Sequence, residues 1–248
     1  MVKKIVGTGV LLVLALALQA GVKMYTLKSP DGKVKLEVTA GQGIAYSLFY
    51  DGRLLLKPSR IALHTDLPEA DHWENIRITG TKQRHVSETV QAPFYRVKEF
   101  GIDCNELELR LNNGFSLLMR AYNDGMAYRF VAGRKGEMTV VEERAEFNFA
   151  DDFEAYIPYS TNPKDPWNMA FQNFYTKAPL TQYNTELPAF LPLTVDAGAV
   201  KLTLLESDLE AYPGMFVCGD GKTPALKGVF AAYPQETFKN KWRCQETV

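Results

Sequence analysis

Acidic side chains are the first candidates for chemistry, because two carboxyl groups that face each other across a bond can act as general acid and general base in its hydrolysis. Two adjacent pairs, Glu142-Glu143 and Asp151-Asp152, attract attention. Neighbouring residues of a strand point to opposite faces of a sheet, so neither pair can act together. We therefore interpret all four as solvated surface acids.

Histidines and cysteines do not form a recognisable metal-binding pattern. The histidines lack H-x-x-x-H spacing, which favours exposed or hydrogen-bonded roles for them. The cysteines contain no C-x-x-C pair and allow at most one disulfide, and burial as small apolar residues is the simpler interpretation of the first two. The chain also lacks a G-x-S-x-G motif and a P-loop. In chain order these residues are His64, His72, His85, Cys104, Cys218 and Cys244.

Alternation of apolar and polar residues predicts the strands that would position these side chains. Residues 34–38 and 44–50 alternate with a period of two, and Asp51-Gly52 tolerates the positive φ of a turn into a third strand at 53–57.

A second meander is predicted further along the chain. Residues 107–111 and 115–119 flank an Asn-Asn-Gly turn, and Asn123-Asp124-Gly125 then turns the chain into 126–130.

The rest of the sequence predicts further strands and very little helix. Further strands are predicted at 138–149, 200–205 and 226–232. A capping box opens at Ser207, but Pro213 would end that helix after about one turn. The many short strands predict one large all-β domain, a sandwich of antiparallel sheets, rather than a βα barrel.

One stretch, residues 156–192, breaks the strand rhythm with prolines and aromatic residues. Loops of this length in compact domains are usually functional or pack against a neighbour. We call this stretch the excursion and expect contacts with other domains there.

The N-terminus and the charge balance indicate where the protein works. Lys3 and Lys4 precede an apolar run that ends in small residues, which predicts a signal peptide over residues 1–20 and a periplasmic or extracellular protein. The run is too short to favour a membrane anchor. With 28 basic and 29 acidic residues, the chain has no net field to attract nucleic acid.

Several motifs resemble the N-terminal domain of glycoside hydrolase family 97, and the resemblance extends from about Tyr25 to the end of the chain. The most specific is the Arg-Ala-Tyr-Asn-Asp-Gly-Met-Ala-Tyr-Arg-Phe string that begins at Arg120. In chain order the motifs are Ser29-Pro30-Asp31-Gly32-Lys33, Tyr50-Asp51-Gly52, Lys57-Pro58-Ser59, the string 120–130, and Tyr212-Pro213-Gly214-Met215.

The resemblance implies a fold and a partner. The family's N-terminal domain is a large antiparallel β-supersandwich of the galactose-mutarotase type, and a catalytic (β/α)8 barrel follows it. The family contains α-glucosidases and α-galactosidases that act on α-linked oligosaccharides. The barrel supplies the catalytic carboxyl groups, so the resemblance implies that residues 21–248 are inactive alone.

The resemblance also implies a calcium-side residue. The family's N-terminal domain contributes a glutamate to a calcium ion near the sugar, and the matching position here is Gln172, with Glu186 as a second candidate. A neutral glutamine would bind calcium more weakly than a carboxylate. We expect that this chain alone holds no calcium.

Two functions remain open at this point. The chain is either the accessory domain that braces the barrel or a stand-alone carbohydrate-binding module. The second function would need exposed aromatics such as Trp73, Trp167 or Trp242 to stack on sugar rings, although core packing is the commoner role of tryptophan.

Overall fold

A computed structural model describes residues 22–167, 172–209, 212–232, 236–239 and 244–247. Strands dominate these ranges, with one described 3-10 helix at Leu180–Gln182, which confirms the all-β fold class. No described helix is long and apolar enough to cross a membrane. The strands are β1 Lys23–Lys28, β2 Val34–Gly41, β3 Gly43–Tyr50, β4 Arg53–Thr65, β5 Ile78–Gln91, β6 Glu99–Leu111, β7 Phe115–Tyr122, β8 Gly125–Ala132, β9 Val140–Asn148, β10 Glu154–Ile157, β11 Thr176–Pro179, β12 Leu193–Asp196, β13 Lys201–Leu204, β14 Met215–Gly219, β15 Ala225–Phe230, β16 Glu236–Lys239 and β17 Cys244–Thr247.

The predicted hairpins are confirmed. Strand β3 is hydrogen-bonded to β4, and Asp51 adopts a φ of 48° at the predicted turn between them. Strand β2 pairs antiparallel with β3 from Val34 opposite Tyr50. Strand β6 pairs with β7, and β7 with β8, which builds the predicted meander. The main departure is β4, which continues to Thr65 instead of ending near residue 57.

The described chain divides into two compact units, and each is described by itself. Of the described residues, the first unit contains those within 22–54 and 60–142, and the second contains those within 55–59 and 143–247, so β4 and β9 contribute to both. The prediction that residues 21–248 form one domain stays a prediction.

The first unit is built from two antiparallel sheets, one ordered β1-β2-β3-β4 and the other β5-β6-β7-β8. Strand β2 packs against β7, so alternate side chains of both sheets point into one core. Tyr46 lies against Tyr128 with ring centroids 5.9 Å apart, and Leu107 and Leu117 are fully buried. This core fixes the strands that carry the 120–130 string.

The second unit is assembled from shorter strands. Strands β9, β15 and β14 lie side by side, beside residues 55–59 of β4, and a four-stranded sheet has the order β11-β10-β12-β13. Its core contains Phe149, Ile157, Leu193 and Val217, each fully buried.

The predicted helix at Ser207 is wrong for the residues that the structure describes there. Residues 207–209 are not helical, and Asp208 has a φ of 65°, which no right-handed helix accommodates. Glu206 instead accepts hydrogen bonds from the Met215 backbone N–H at 2.7 and 2.9 Å. A one-turn helix forms little to offset its nucleation cost, and this contact favours a loop.

Candidate functional site

The excursion links β10 to β12 and carries both predicted calcium-side residues. Gln172 and Glu186 have exposed side chains, and residues 168–171, which precede Gln172, lie outside the described part of the chain. Both residues therefore face outward and are accessible to another domain or a ligand.

Backbone hydrogen bonds attach the second half of the excursion to the second unit. Ala189 and Val217 exchange two bonds, each 2.8 Å long. Ser160 donates its N–H to the carbonyl of Pro188 at 2.8 Å, and Phe190 donates to Pro158 at 3.1 Å. These bonds hold the two ends of the excursion together like a short ladder.

Two tyrosines anchor the middle of the excursion. Tyr183 is buried, and its hydroxyl lies 2.7 Å from the Val217 carbonyl oxygen, to which it donates. Burial raises the pKa of this hydroxyl above its ordinary value, so it remains a donor. Tyr159 packs edge-on against Tyr183 at 5.0 Å and accepts a 2.8 Å hydrogen bond from the Asn184 N–H.

A glycine makes room for Tyr183. A Cβ added to Gly219 would lie 2.7 Å from the Cγ of Tyr183, closer than carbon atoms approach without displacement. Strand β14 therefore tolerates only glycine at this position while the tyrosine ring stays in place.

The segment 172–175 is the most exposed aromatic part of the excursion. Phe174 is fully exposed and Tyr175 is 46% exposed, and they follow exposed Gln172 directly. Asn173 donates its side-chain amide to the Tyr159 carbonyl, and β11 begins at Thr176 beside Ile157 of β10. An amide and two aromatic rings on a fixed segment can bind a sugar ring or pack against a second protein surface.

Three of the four residues in the two acidic pairs are surface acids, as predicted, and the fourth is not. Glu142, Asp151 and Asp152 are exposed, but Glu143 is half-buried and accepts a 2.7 Å hydrogen bond from the Tyr212 hydroxyl. The interpretation is therefore wrong for Glu143, because β9 turns this side chain toward the segment that carries the Tyr-Pro-Gly-Met motif.

Two neighbouring carboxyl groups in the second unit have raised pKa values. Burial raises the pKa of Glu143, and the hydrogen bond from Tyr212 offsets part of this effect. Burial also raises the pKa of Glu206, with a further contribution from the charge of Glu143, while the Met215 N–H opposes the shift. The Glu143–Tyr212 bond ties Tyr212 to β9, and the Glu206 bonds tie Glu206 to Met215 at the start of β14, so both carboxyl groups have a structural role.

The histidines and cysteines do not form a ligand cluster in the described structure. His64 Nδ1 lies 2.6 Å from a carboxylate oxygen of Asp71, and His85 contacts Asp103 at 3.0 Å. Among the described residues, no group of three or more His, Cys, Asp or Glu side chains could hold a metal ion.

The cysteines that the structure describes are unpaired. Cys104 is buried and Cys218 half-buried, and both are free thiols. Burial raises the pKa of each thiol, so both behave as small apolar residues. The side chain of Cys244 lies outside the described part of the chain.

The tryptophans differ in their suitability for stacking on a sugar. Trp73 is 4% exposed and donates its Nε1–H to the Leu63 carbonyl at 2.9 Å, so it is a core residue. Trp167 is half-buried and packs edge-on against Phe216 at 4.8 Å. Trp242 lies outside the described residues. The most exposed aromatic residues of the excursion are instead Phe174 and Tyr175, which the prediction from tryptophans did not include.

A buried carboxylate in the first unit was also missed. Glu106 is 4% exposed and accepts hydrogen bonds from the Nε of Arg84 at 2.6 Å and of Arg120 at 2.8 Å. The bond from Arg84 is the largest cause that lowers the pKa of Glu106, ahead of the bond from Arg120. Cross-strand pairing places Glu106 opposite both arginines, so the register of three adjacent strands would have revealed the contact.

An open groove of about 470 Å³ lies beside this cluster and is lined in part by Lys28, Gln83 and His85. Gln83 donates its side-chain amide to the Thr26 carbonyl at 3.3 Å, and Asn105 donates to that of Lys28 at 2.8 Å. These amides attach β1 to the neighbouring sheet, so we assign the groove a structural role.

Comparison with known protein families shows which family the chain resembles. The chain matches the family described as "Glycosyl-hydrolase 97 N-terminal" over residues 27–245. It belongs to this family. The match confirms the family resemblance and spans the 120–130 string and the Tyr-Pro-Gly-Met motif, whose Arg120 and Tyr212 donate hydrogen bonds to Glu106 and Glu143.

A curated relative supports the family assignment. The "Retaining alpha-galactosidase" of Bacteroides thetaiotaomicron is 39% identical over 231 residues, which cover 90% of this chain and 34% of the relative. This family 97 chain therefore spans about one third of the length of that relative.

Solved structures show the same fold. A beta-arabinopyranosidase aligns with a TM-score of 0.71 at 20% identity, covering 84% of this chain and 35% of the other. A family 97 enzyme from Pseudoalteromonas sp. strain K8, solved with acarbose, aligns with a TM-score of 0.69 at 18% identity, covering 83% and 32%. In each case the family 97 domain matches about one third of a longer chain.

Proposed function

We propose that this chain is the non-catalytic N-terminal domain of an exported α-glycoside hydrolase, where it braces a catalytic barrel and lines the sugar site. The observation that carries the proposal is the 39% identity to one third of a retaining alpha-galactosidase. The remaining two thirds of such a protein would supply the acid and base chemistry.

The substrate class proposed for the whole protein is an α-galactoside. The support is that the Bacteroides relative is a retaining alpha-galactosidase, which is the basis for preferring galactosides to glucosides. The proposal extends to a retaining mechanism, in which a carboxylate nucleophile and an acid lie about 5 Å apart. Those two groups belong to the barrel.

The excursion is the part that we assign to the sugar site. Gln172 and Glu186 are exposed on it, and its ends are bonded to β14 and to each other, so an outward-facing residue is held on a fixed base. Gln172 can offer one neutral oxygen to a calcium ion, and Glu186 one carboxylate. Since the described residues contain no complete ligand set, the barrel would supply the other ligands.

Export is part of the proposal. Lys3 and Lys4 followed by an apolar run support removal of a signal peptide and a periplasmic or extracellular location. Residues 1–21 lie outside the described part of the chain.

A stand-alone carbohydrate-binding module is the second candidate, and exposed Phe174 and Tyr175 favour it. Titration calorimetry of the chain with melibiose and maltotriose separates the candidates. The accessory role predicts no heat from either sugar, whereas saturable heat that disappears in Phe174→Ser would establish the module. Val141→Ser, which changes another exposed apolar residue, is the matched control.

The main experiment uses the natural protein. We expect that an antibody raised against this chain captures from the source cell a polypeptide about three times as long, since the chain covers 34% of its relative. That polypeptide should hydrolyse 4-nitrophenyl α-galactoside, and the separate chain should not. Hydrolysis by the separate chain, or capture of only the short chain with no activity, would contradict the proposal.

A further inference from the structure

Two neighbouring asparagines in the turn between β6 and β7 have opposite surroundings. Asn112 is exposed, but both ends of its amide are held: Oδ1 accepts the Arg77 N–H at 2.8 Å, and Nδ2 donates to the Asn75 carbonyl at 3.4 Å. Asn113 is 5% exposed, and its Nδ2 is buried without a hydrogen-bond partner among the described residues. A buried donor without a partner is unfavourable, so the amide of Asn113 has less to lose by reacting than that of Asn112.

The carbonyl of the Asn113 side chain is polarised by its surroundings. Phe115 donates its backbone N–H to Asn113 Oδ1 at 3.3 Å. A donor at a carbonyl oxygen stabilises the negative charge that the oxygen acquires when a nucleophile adds to the carbon. Cγ of Asn113 is therefore the electrophilic atom of the turn, and Nδ2, which no described group holds, is its leaving group.

The backbone nitrogen of the next residue, Gly114, is a suitable nucleophile. Asn113-Gly114 is the single Asn-Gly pair in the sequence. Gly114 is exposed, and its N–H donates to no backbone carbonyl among the described turns and loops. Glycine also has no Cβ to crowd a five-membered ring that includes its nitrogen. Hydroxide from solvent can therefore remove the Gly114 proton and leave a nitrogen that is free to close the ring.

An open cavity beside the turn provides access for water. It has a volume of about 310 Å³, and its lining includes Asn113, Gly114, Glu69 and Arg134. Arg134 and Glu69 form an ion pair at 3.0 Å, so the cavity offers the polar partners that an ordered water needs. Water thus reaches the turn although the Asn113 side chain itself is buried.

We propose that Asn113 is a site of spontaneous deamidation in the folded protein. The Gly114 nitrogen, after losing its proton to hydroxide, attacks Asn113 Cγ and forms a succinimide. The Cγ–Nδ2 bond breaks, and Nδ2 takes a proton from water and leaves as ammonia, which regenerates the hydroxide. A further water then opens the ring at either carbonyl and leaves aspartate or isoaspartate at position 113. In total one water is consumed and one ammonia is released, without an oxidant or a reductant.

The modification changes the hairpin in which it occurs. Isoaspartate adds one carbon to the backbone of the turn, so β6 and β7 no longer meet in the same register. The 2.9 Å bond from the Gly133 N–H to the Gly114 carbonyl and the bonds of Asn112 to residues 75–77 depend on this turn. Either product also places a carboxylate at a position where Asn113 is now buried, which is unfavourable. The stability of the first unit therefore declines as the protein ages.

Mass spectrometry of the ageing protein tests the proposal. Trypsin cleaves after Arg110 and Arg120 and releases a peptide with both asparagines. At mildly alkaline pH we expect a mass gain of about 1 Da at position 113, at a rate within about tenfold of that of the same peptide in isolation. The rate should rise about tenfold per pH unit, since hydroxide starts the reaction. Asn112 is the internal control and should stay unmodified.

Two variants separate the reaction from general instability. Asn113→Gln and Gly114→Ala should each slow the mass gain at least about tenfold, because the first enlarges the ring that must close and the second crowds it. Thermal unfolding of the aged parent should begin at a lower temperature than that of the fresh parent, whereas ageing should not change Asn113→Gln. Circular dichroism before ageing shows whether each variant folds, and one folded variant is sufficient for the test.

Three outcomes would overturn the proposal. The folded protein could react more than about tenfold more slowly than the isolated peptide, which would mean that the structure protects the turn. Modification could appear first at Asn112, or the rate could be independent of pH. The reaction involves neither a sugar nor a barrel, so none of these results bears on α-galactoside hydrolysis, and the deamidation site and the proposed function are tested separately.

Discussion

The meander β6–β8 and the excursion achieve order by different means. In the meander, alternate residues such as Leu107, Leu109 and Leu117 are completely buried, and each strand is bonded along its length. In the excursion, order depends on single contacts such as the Tyr183 hydroxyl bond to Val217. A periodic core distributes its stability over many equivalent contacts, whereas an irregular segment depends on a few specific ones.

The largest effect should come from the periodic core. Leu117→Ala removes a fully buried side chain, and we expect a loss of about 3 kcal/mol in unfolding free energy from lost burial and a residual cavity. Leu118→Ala, one residue on and half-buried, is the matched control and should cost about 1 kcal/mol or less. Urea denaturation measures both. Equal losses would show that the alternation does not govern stability.

A smaller effect is expected at the buried carboxylate of the meander. Glu106→Gln removes the charge that two arginines bind, and we expect a loss of about 2 kcal/mol. Glu108→Gln lies on the same face two residues along, where the carboxylate contacts Arg110 at 3.4 Å, and should cost less than about 0.5 kcal/mol. Thermal unfolding that shifts equally in both variants would refute this difference.

The excursion should respond to the loss of one hydroxyl group. Tyr183→Phe keeps the buried ring but removes its hydrogen bond to Val217, which we expect to cost about 1 kcal/mol. Tyr175→Phe, whose hydroxyl makes a 3.4 Å bond from an exposed position, should cost almost nothing. Proteolysis of residues 172–192 should accelerate in Tyr183→Phe alone. An unchanged rate of proteolysis would mean that the backbone hydrogen bonds to β14 hold the excursion in place without the Tyr183 hydroxyl.

The smallest expected effects are changes of stability with pH. Glu143 in the second unit and Glu106 in the first should change the stability in opposite directions. The raised pKa of Glu143 means that stability declines as pH rises from its unfolded pKa of about 4.3 toward its native value, because only the unfolded chain ionises in that window. Glu143→Gln should therefore gain stability relative to the parent across this window and keep the gain above it. A difference that grows below pH 4 instead would contradict this assignment.

The lowered pKa of Glu106 gives stability the opposite dependence on pH. The contribution of Glu106 to the free energy of unfolding is complete above about pH 4.3 and is lost as pH falls through the native pKa. Acid unfolding of Glu106→Gln should accordingly be less steep than that of the parent, which urea titrations at several pH values would measure.

Much of the fold was predictable because its signals are local. Period-two alternation and the turns at Asp51-Gly52 and Asn123-Asp124-Gly125 predicted hairpins that the structure confirms. The helix at Ser207 failed because a capping pattern cannot reveal that Glu206 bonds the Met215 backbone nine residues later.

The candidate site was less predictable. The sequence, through its motifs, pointed to Gln172 and Glu186, and both lie exposed on the excursion. Exposed Phe174 and Tyr175 could not be distinguished from core aromatics, because burial depends on what the rest of the chain places above a residue.

By itself, the sequence determined the hairpins that link β3 to β4 and β6 to β8, the family and the absence of a recognisable catalytic motif. These follow from neighbouring residues, whose alternation and turn chemistry act over a few positions. Only the tertiary structure decided that Trp73 is buried, that Glu143 is shielded, and that Glu106 lies between Arg84 and Arg120. Each of these outcomes depends on contacts between residues far apart in the chain, which set the burial and the charge around a side chain.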